Sequence, residues 1–548
     1  MKMKRFFTLF SFVFFCLSIN AQIAPGKYWV QFTDKNNTPY FSNRPEDFLS
    51  ERAIQRRQDY GIAIDEYDLP VNPSYLKAVA ATGATLLHPS KWLNGVTVEV
   101  GNEIVLELVE SLPFVQKTRS LEDEPVKQML KERDDFIDES VASLEMNYAS
   151  FYGYAAPQIE QLNGAVLHEM GFQGQDVWIG VCDGGFSYVD KHEAFVSMYE
   201  ENRFLGARDF VHKNGDVYTE SSHGTSCLGL MAANVPNKYV GTAPQASYYL
   251  CRTENVRSEN VLEEYNWVSA AEFLDSLGVD VISTSLGYVD FDDYHWNHVY
   301  SDLDGMTCVI TKGSEIACSR GILCVTSAGN EGTTSFPYIS APADGEHVLT
   351  VGAVGTNGLR ANFSSVGPTY DGRIKPDVMA LGQGTPVVAA GEGMYYDGNG
   401  TSFSCPVLAG MAACLWQANR WSTAAEIREA LRQSGNMTAP NNYYGYGIPD
   451  FKKALDYLFL LKNSDFVIKS GLSVFPNPSN GNVNVMLKID GNAEVKVYNQ
   501  IGKLLYYNTI NVCNSNGLDV FLSNVESGMY LINVIADEKN ITTKFIKY

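Results

Sequence analysis

The sequence is poor in basic residues, since 41 Lys and Arg stand against 63 Asp and Glu and give a formal net charge of −22. Such a charge repels phosphate groups, so nucleic acid and anionic membranes are not expected as partners. Internal repeats and low-complexity tracts are absent, and 45% hydrophobic residues are typical of an ordered globular protein. At 548 residues the chain is too long for one hydrophobic core, so about three or four domains are expected.

Long apolar runs are also missing, apart from one at the N-terminus that is too short to cross a membrane. Lys2, Lys4 and Arg5 precede the apolar residues 6–18, and Ala21 follows. A basic start, a short apolar run and a small residue at the cut are typical of a signal peptide. We therefore predict that residues 1–21 are removed on export and that the protein has no stable membrane span.

Cysteines are few, and export permits disulfides among those that remain after Cys16 leaves with the signal peptide. Four of them lie in apolar segments, where buried free thiols are favoured: Cys182, Cys227, Cys405 and Cys414. Cys308, Cys318 and Cys324 are better candidates for a bridge. Spacing alone does not decide the pairing.

Residues 22–120 combine alternating and amphipathic segments in the order β-α-β-β-α-β, which predicts a small split-βαβ domain. The predicted strands are 28–32, 84–87, 95–100 and 114–118, and the predicted helices are 73–81 and 103–110. An additional charged helix is predicted within 48–59. Residues 121–154 begin with a strongly charged stretch, which predicts a solvated linker that is open to cleavage.

From residue 155 to 462, continuous apolar strands alternate with helical segments. The clearest strands are 177–182, 279–283 and 322–326. Unbroken apolar strands between helices predict an α/β domain whose parallel sheet is buried on both faces. In such sheets, functional sites form at the carboxyl ends of the strands.

Polar residues stand where these strands end or where helices begin. Asp183 ends an apolar strand, His223 opens an apolar helix, Asn330 lies in a glycine-flanked loop, and Ser402 precedes a buried helix. Taken singly, each side chain is explained by a turn or a helix cap. Together they supply an orienting carboxylate, a base, an oxyanion donor and a nucleophile. Pro406 is predicted to lie in the first turn of the serine's helix.

The motifs around these residues resemble those of the subtilisin family of serine peptidases. The order Asp, His, Ser along the chain is the order of that family. The matching motifs are Asp183-x-Gly185, His223-Gly224-Thr225, Ser285-Leu286-Gly287 and Gly400-Thr401-Ser402-x-x-x-Pro406. The resemblance implies a subtilisin-like domain, with a mostly parallel sheet flanked by helices, in a secreted serine endopeptidase.

The resemblance also implies a role for each residue. Ser402 attacks the peptide carbonyl and forms an acyl-enzyme, His223 transfers the proton, and Asp183 orients the imidazole. Asn330 and the Ser402 backbone N–H bind the oxyanion. The segment Ser285-Leu286-Gly287 binds an extended protein or peptide substrate by strand pairing. No cofactor is required for this chemistry, and calcium is compatible with it although no ligands are assigned.

Three departures from the family pattern stand out. Gly184 replaces the usual Ser or Thr after the aspartate, and Phe403 replaces the more usual Met after the serine. The segment 288–318 is longer and more acidic than usual, with five clustered aspartates: Asp290, Asp292, Asp293, Asp302 and Asp304. A solvated loop is the favoured interpretation. A calcium site or a subsite for basic substrates is the alternative.

The flanking regions resemble export and maturation domains. Residues 22–120 resemble an inhibitor-like propeptide, which can template a slowly folding parallel sheet. Residues 471–548 alternate like a small all-β sandwich and resemble a type IX secretion sorting domain, in motifs such as 474–478 and 527–530. A generic adhesion or carbohydrate-binding module is the alternative for this tail. The resemblance implies a precursor exported by the type IX machinery of a Gram-negative bacterium and then secreted or held at the cell surface.

Two other functions are considered for the whole chain. One is a surface binding protein that keeps a degenerate peptidase fold, which the four intact site residues argue against. The other is an esterase that uses the same triad and cleaves small esters while sparing proteins.

Overall fold

The computed structural model describes residues 26–121, 151–212, 215–391 and 393–470, and parts of the C-terminal region at 472–475, 482–487, 491–499, 502–512, 517–522, 525–536 and 539–547. The predicted signal peptide and most of the predicted linker lie outside these residues. Among the described residues, no helix has the length and apolar character needed to span a membrane.

The N-terminal domain is a four-stranded antiparallel sheet with helices packed against it. Its elements are β1 (Gly26–Phe32), α1 (Glu51–Asp59), α2 (Pro73–Ala81), β2 (Thr85–Ser90), β3 (Gly95–Val100), α3 (Glu103–Glu110) and β4 (Val115–Ser120). The strand order is β2-β3-β1-β4. Asn72 and Asn102 cap α2 and α3 by accepting hydrogen bonds from backbone N–H groups of the first turn. The predicted β-α-β-β-α-β order and the additional charged helix are confirmed.

The middle of the chain forms one seven-stranded sheet, in the order β13-β12-β11-β10-β5-β9-β6. Its strands are β5 (Trp178–Asp183), β6 (Phe204–Asp209), β9 (Ser247–Arg252), β10 (Val281–Thr284), β11 (Leu323–Ser327), β12 (Leu349–Val354) and β13 (Val378–Leu381). All six neighbouring pairs are parallel. Two short antiparallel pairs accompany it: β7 (Asn234–Val235) with β8 (Tyr239–Val240), and β14 (Gln383–Val388) with β15 (Tyr395–Asn399).

Helices cover both faces of this sheet. They are α4 (Ala156–Gln161), α5 (Ala165–Glu169), α6 (Val196–Glu200), α7 (His223–Ala232), α8 (Leu262–Leu277), α9 (Val309–Ser319), α10 (Thr401–Ala418), α11 (Ala424–Gln433) and α12 (Phe451–Ser470). Residues of α7 and α10 pack on one face with Val181 and Val325. Residues of α8 and α9 pack on the other face with Cys182 and Cys324. This two-faced burial explains the unbroken apolar strands in the sequence.

The C-terminal region is rich in strands, as predicted. It contains β16 (Leu472–Phe475), β17 (Asn482–Leu487), β18 (Gly491–Asn499), β19 (Leu504–Val512), β20 (Gly517–Phe521), β21 (Gly528–Ala536) and β22 (Lys539–Lys547). They form two sheets, β16-β17-β20 and β19-β18-β21-β22. Val485 from the first sheet and Val495 and Ile532 from the second belong to one buried cluster, which is the core of a sandwich.

Two local expectations are wrong. Helix α10 begins at Thr401, so Pro406 lies inside the helix rather than in its first turn. A helix tolerates this proline because the carbonyl that loses its N–H partner, that of Ser402, accepts a hydrogen bond from the Ser285 hydroxyl at 2.8 Å instead. The expected bridge candidates Cys308, Cys318 and Cys324 are free thiols.

Candidate active site

Asp183 and His223 form a buried hydrogen-bonded pair at the carboxyl end of β5. His223 Nδ1 lies 2.8 Å from Asp183 Oδ1 and 3.0 Å from Asp183 Oδ2. The Asp183 side chain is 1% exposed, and Oδ1 also accepts a 2.8 Å hydrogen bond from the Gly184 N–H. Because the carboxylate holds Nδ1, the imidazole is oriented and Nε2 is left for another partner.

The charge state of His223 follows from its surroundings. Burial lowers the pKa of His223, but the negative Asp183 and its hydrogen bonds outweigh burial and raise that pKa well above its ordinary value of 6.5. The Cys227 sulfur lies 3.8 Å from Nδ1 and 4.0 Å from Nε2. Burial raises the pKa of Cys227, which keeps the thiol neutral beside the ring.

Ser402 is the second residue of α10, where the backbone N–H groups have no partner within the helix. Its Oγ donates to the Ser285 carbonyl at 3.2 Å, and within the described part of the chain it makes no hydrogen bond to His223. The two residues are nevertheless neighbours, because the Cys227 thiol beside the imidazole also contacts the Ser402 carbonyl at 3.4 Å.

Asn330 is anchored through its amide oxygen. Oδ1 accepts hydrogen bonds from the backbone N–H and the hydroxyl of Thr401, both at 2.9 Å. This leaves the Nδ2 donors directed to the space beside Gly400. A side chain at Gly400 would place its Cβ 3.8 Å from Asn330 Nδ2 and 3.7 Å from the Ser402 N, so the glycine leaves that space open between the two donors.

Three supporting groups were not identified from the sequence. Thr401 positions Asn330, the Ser285 hydroxyl satisfies the Ser402 carbonyl, and Cys227 packs between His223 and Ser402. Thr401 and Ser285 lie within the motifs that carried the resemblance, so their positions were visible although their roles were not. Cys227 follows His223 by one helical turn, a spacing that places both on one side of α7.

The segment 285–287 follows β10 and has an unused backbone edge. Ser285 and Leu286 already accept hydrogen bonds at their carbonyls, from Ser402 Oγ and Ser327 Oγ. Tyr288 pairs in antiparallel fashion with Ala341. Within the described residues, neither the N–H nor the C=O of Gly287 has a hydrogen-bond partner.

Two departures from the family pattern lie beside the predicted catalytic residues and differ in their surroundings. A Cβ at Gly184 would lie 2.8 Å from a methyl carbon of Val256, so the site has no room for the usual Ser or Thr without a shift. Phe403 is 5% exposed, and its ring centroid lies 6.1 Å from that of His223. Neither residue contributes a polar side-chain atom to the site.

The five aspartates of 288–318 do not converge. Asp293, Asp302 and Asp304 accept hydrogen bonds from backbone N–H groups two or three residues away, within their own turns. Asp290 accepts from the Asn297 side chain, and Asp292 accepts from the Glu259 N–H. Among the described residues, none of the five belongs to a group whose ligand atoms come together. Asp293, Asp302 and Asp304 therefore serve as caps of their own turns.

Comparison with known families and proteins divides the chain into three parts. Residues 174–447 match the subtilase family. Residues 27–135 match the peptidase S8 propeptide domain of Bacteroidota, and residues 473–548 match a secretion system C-terminal sorting domain.

Curated relatives point to the same peptidase family. The chain is 30% identical to subtilisin NAT from Bacillus subtilis subsp. natto over 341 residues, which are 61% of this chain and 79% of the relative. It is also 30% identical to a subtilisin from Bacillus pumilus over 300 residues, which are 54% of this chain and 97% of the relative. The chain therefore belongs to the subtilase family and is a serine endopeptidase, made with a propeptide and directed to the cell surface or beyond by a type IX sorting tail.

Proposed function

We propose that Ser402, His223 and Asp183 form the catalytic triad of this endopeptidase. The observation that carries the proposal is the contact of both Asp183 carboxylate oxygens with His223 Nδ1, at 2.8 and 3.0 Å. This contact leaves Nε2 free to act as the base. The Cys227 thiol contacts both that imidazole and the Ser402 carbonyl, so Ser402 lies close to His223.

The first step requires a small movement of Ser402. Its hydroxyl leaves the Ser285 carbonyl and turns toward His223 Nε2 by rotation about the Cα–Cβ bond. Hydrogen bonds between catalytic groups are often long or absent in a free enzyme and tighten when substrate binds. His223 then takes the proton as Oγ bonds to the substrate carbonyl carbon, and Asp183 stabilises the imidazolium.

The negative oxygen of the tetrahedral intermediate is bound by Asn330 Nδ2 and the Ser402 N–H. Both donors border the open space beside Gly400. Because Thr401 fixes the amide oxygen, Nδ2 is held in place before the charge develops, which is the condition for effective oxyanion stabilisation. His223 then protonates the leaving amine, and water hydrolyses the acyl-enzyme by the reverse path.

The extended substrate is proposed to pair with Ser285, Leu286 and Gly287. The unpartnered backbone groups of Gly287 supply the donor and acceptor for an added strand. Proteins and peptides in an extended conformation are therefore the substrates. Side chains and water suffice for these steps, and calcium is assigned no ligands.

Maturation is proposed to follow the predicted domain boundaries. The propeptide of 22–120 folds against the peptidase domain of 155–462, and cleavage in the linker of 121–154 releases activity. The sorting domain of 471–548 is recognised by the type IX secretion machinery and is then removed.

Replacement of Ser402 by Ala tests this proposal. We expect the Ser402→Ala protein to accumulate as an uncleaved precursor and to leave casein intact, whereas Ser319→Ala, at an exposed serine of α9, is processed as the wild type is. Immunoblots with antibodies to the propeptide and to the peptidase domain follow the cleavage. Normal processing together with casein cleavage by Ser402→Ala would refute the assignment. Cleavage of small esters without casein cleavage by the wild type would favour an esterase.

A further inference from the structure

Tyr288 directly follows the substrate-binding segment 285–287 and is fully buried, although it carries a hydroxyl. Its N–H donates to the Ala341 carbonyl at 2.9 Å, and the Ala341 N–H donates back to the Tyr288 carbonyl at 3.2 Å. The residue before Ala341 donates its N–H at 3.2 Å to the carbonyl of Ala328, two residues before Asn330. The backbone of Tyr288 therefore joins the substrate-binding segment to the loop that carries the proposed oxyanion donor.

The side chain of Tyr288 extends to another part of the site. Its hydroxyl donates to Oε1 of Glu254, a residue that is 1% exposed. Glu254 follows Thr253, whose N–H donates to the Asp183 carbonyl at 3.0 Å. A Cβ on Gly184 would lie 3.6 Å from the Glu254 Cβ, so Glu254 also packs against the residue next to Asp183. The Tyr288 hydroxyl therefore joins the substrate-binding segment to the end of β5 that carries the proposed catalytic carboxylate.

The charges around Glu254 favour this hydrogen bond. One carboxylate oxygen from each of Glu254, Glu259 and Glu263 lies within 4.8 Å of the other two. Like charges at such a separation repel, so a hydroxyl that donates to one of them is stabilising. Burial, and next to it the charge of Glu254, raise the pKa of Tyr288 well above its ordinary value of 10. The hydroxyl therefore keeps its proton and remains a donor to the carboxylate around neutral pH.

The position of Gly287 depends on its two neighbours. Within the described residues, the N–H and C=O of Gly287 are the backbone groups left open for a substrate strand. On one side, the Leu286 carbonyl accepts from Ser327 Oγ at 3.3 Å. On the other side, Tyr288 is held by Glu254 and by its own backbone bonds. A shift of about 1 Å in a group that positions substrate can cost about 10²-fold in rate, so these two anchors bear on catalysis.

We infer that Tyr288 and Glu254 are positioning residues that fix the substrate-binding segment relative to Asp183 and Asn330. Both are buried, so they act on the substrate through Gly287 rather than by contact with it. The inference rests on the proposed function, in which the segment 285–287 pairs with an extended substrate. A tyrosine that served only to pack the core would affect stability, but it would not distinguish a substrate that pairs with this segment from one that does not.

Tyr288→Phe tests the inference, because it removes the hydroxyl and keeps the ring that stacks on Phe291 with centroids 6.1 Å apart. For an extended peptide substrate, we expect kcat/KM to fall by about 10-fold, the size of a lost hydrogen bond to a charged group. Most of the change should be a rise in KM, since strand pairing is made before the transition state. Hydrolysis of p-nitrophenyl acetate, which has no backbone to pair, should be unchanged. Rates are divided by the amount of Ser402 that a fluorophosphonate probe labels, so that only competent enzyme is counted.

Tyr248→Phe is the matched control. Tyr248 is also fully buried, and its hydroxyl donates to the Ala243 carbonyl at 2.7 Å near the start of β9. This control should leave the ratio of peptide to ester rates unchanged. Glu254→Gln keeps an oxygen that can accept from Tyr288 and should retain most of the peptide activity, whereas Glu254→Ala should behave like Tyr288→Phe. Because the last two changes break one hydrogen bond, the double variant should lose little more than either alone.

Equal effects of Tyr288→Phe on the peptide and ester rates would overturn the inference, and so would full additivity in the double variant. If circular dichroism shows that Tyr288→Phe does not fold, Glu254→Ala provides the same comparison of peptide and ester, with the same contradicting result. Absence of the fluorophosphonate label from Ser402 of the folded, processed wild type would instead refute the proposed triad. The two failures are therefore distinguishable.

Discussion

Two buried aspartates, Asp183 and Asp275, lie on opposite ends of the same domain and meet different cations. Asp183 binds a histidine, whose proton can leave at moderate pH. Asp275 binds two arginines and a lysine, whose charges are permanent under the same conditions. Burial raises the pKa of Asp275, but Lys91, Arg57 and Arg56 outweigh it and lower that pKa below its ordinary value.

The contact of Asp183 with His223 takes part in the proposed reaction. The contact of Asp275 with Arg56, Arg57 and Lys91 joins two domains and is called the holding contact below. In the proposed mechanism, the one titratable partner of Asp183 lets the pair pass a proton during each catalytic cycle. At Asp275, three fixed partners leave no proton to exchange, and the contact joins the N-terminal domain to the peptidase domain. The same residue type therefore supports catalysis at one end of the sheet and assembly at the other, and the partner decides which.

The largest expected effect is at the catalytic aspartate. Asp183→Asn should reduce kcat by about 10⁴-fold, the size found for an Asp→Asn change in a Ser-His-Asp triad and close to the loss on removing the triad aspartate of subtilisin, because the imidazole loses its orienting carboxylate. The pKa of the acid limb of the pH profile should fall as well, because the charge of Asp183 is the largest of the effects that raise it. Kinetics on a peptide substrate measure both, with Asp190→Asn as the control on the surface. An unchanged kcat would remove Asp183 from the triad.

A smaller loss is expected at the oxyanion donor. Asn330→Ala should lower kcat by about 10²–10³-fold, a range taken from subtilisin, with little change in KM, because the donor acts on the transition state. Asn357→Ala, at an exposed turn, should have no effect. A change confined to KM would show that Asn330 binds substrate rather than the developing charge.

At the opposite end of the sheet, the effect should appear in stability. In the Ser402→Ala precursor, Arg57→Gln should reduce the free energy of unfolding by about 3–5 kcal/mol, because Asp275 and Asp68 stay buried with a partner missing. Arg44→Gln, which breaks an exposed ion pair, should cost less than about 1 kcal/mol. Urea denaturation measures both, and equal losses would contradict the distinction between the buried and exposed pairs.

The pH dependence of activity gives the mildest test. In the proposed mechanism neutral His223 is the base. Because its pKa is raised, kcat/KM should fall as the pH drops through a value above 6.5. The stability contributed by Asp275 should also be lost as the pH falls, but in a more acidic range. Because the pKa of Asp275 is lowered, the stability that it contributes is present at neutral pH and lost only in strong acid, below about pH 4. Loss of domain association near pH 6.5 would contradict this separation.

The sequence was sufficient to predict the local elements and to recognise the motifs of the site. The helix Pro73–Ala81 and the strand Gly95–Val100 have the predicted bounds, because their apolar patterns are set by residues a few positions apart. Asp183, His223, Asn330 and Ser402 stood at strand ends and helix starts, where a parallel sheet gathers side chains.

Long-range contacts set the limits of that prediction. The start of α10 was misplaced because Pro406 is accommodated by Ser285, 117 residues from the Ser402 carbonyl that it satisfies. The charged helix α1 was predicted, but its role was not, since the Arg57–Asp275 contact spans 218 residues. The orientation of the Ser402 hydroxyl, which donates to the Ser285 carbonyl, likewise depends on a residue that no local pattern indicates.

The activation of Ser402 by His223 and Asp183 is tested most directly by covalent labelling. A fluorophosphonate probe reacts with a serine only when a base and an oxyanion site activate it. Peptide mapping of the labelled wild-type enzyme by mass spectrometry should place the adduct on Ser402, and His223→Ala should abolish it. An adduct on another serine, or no adduct on a folded and processed enzyme, would contradict the account.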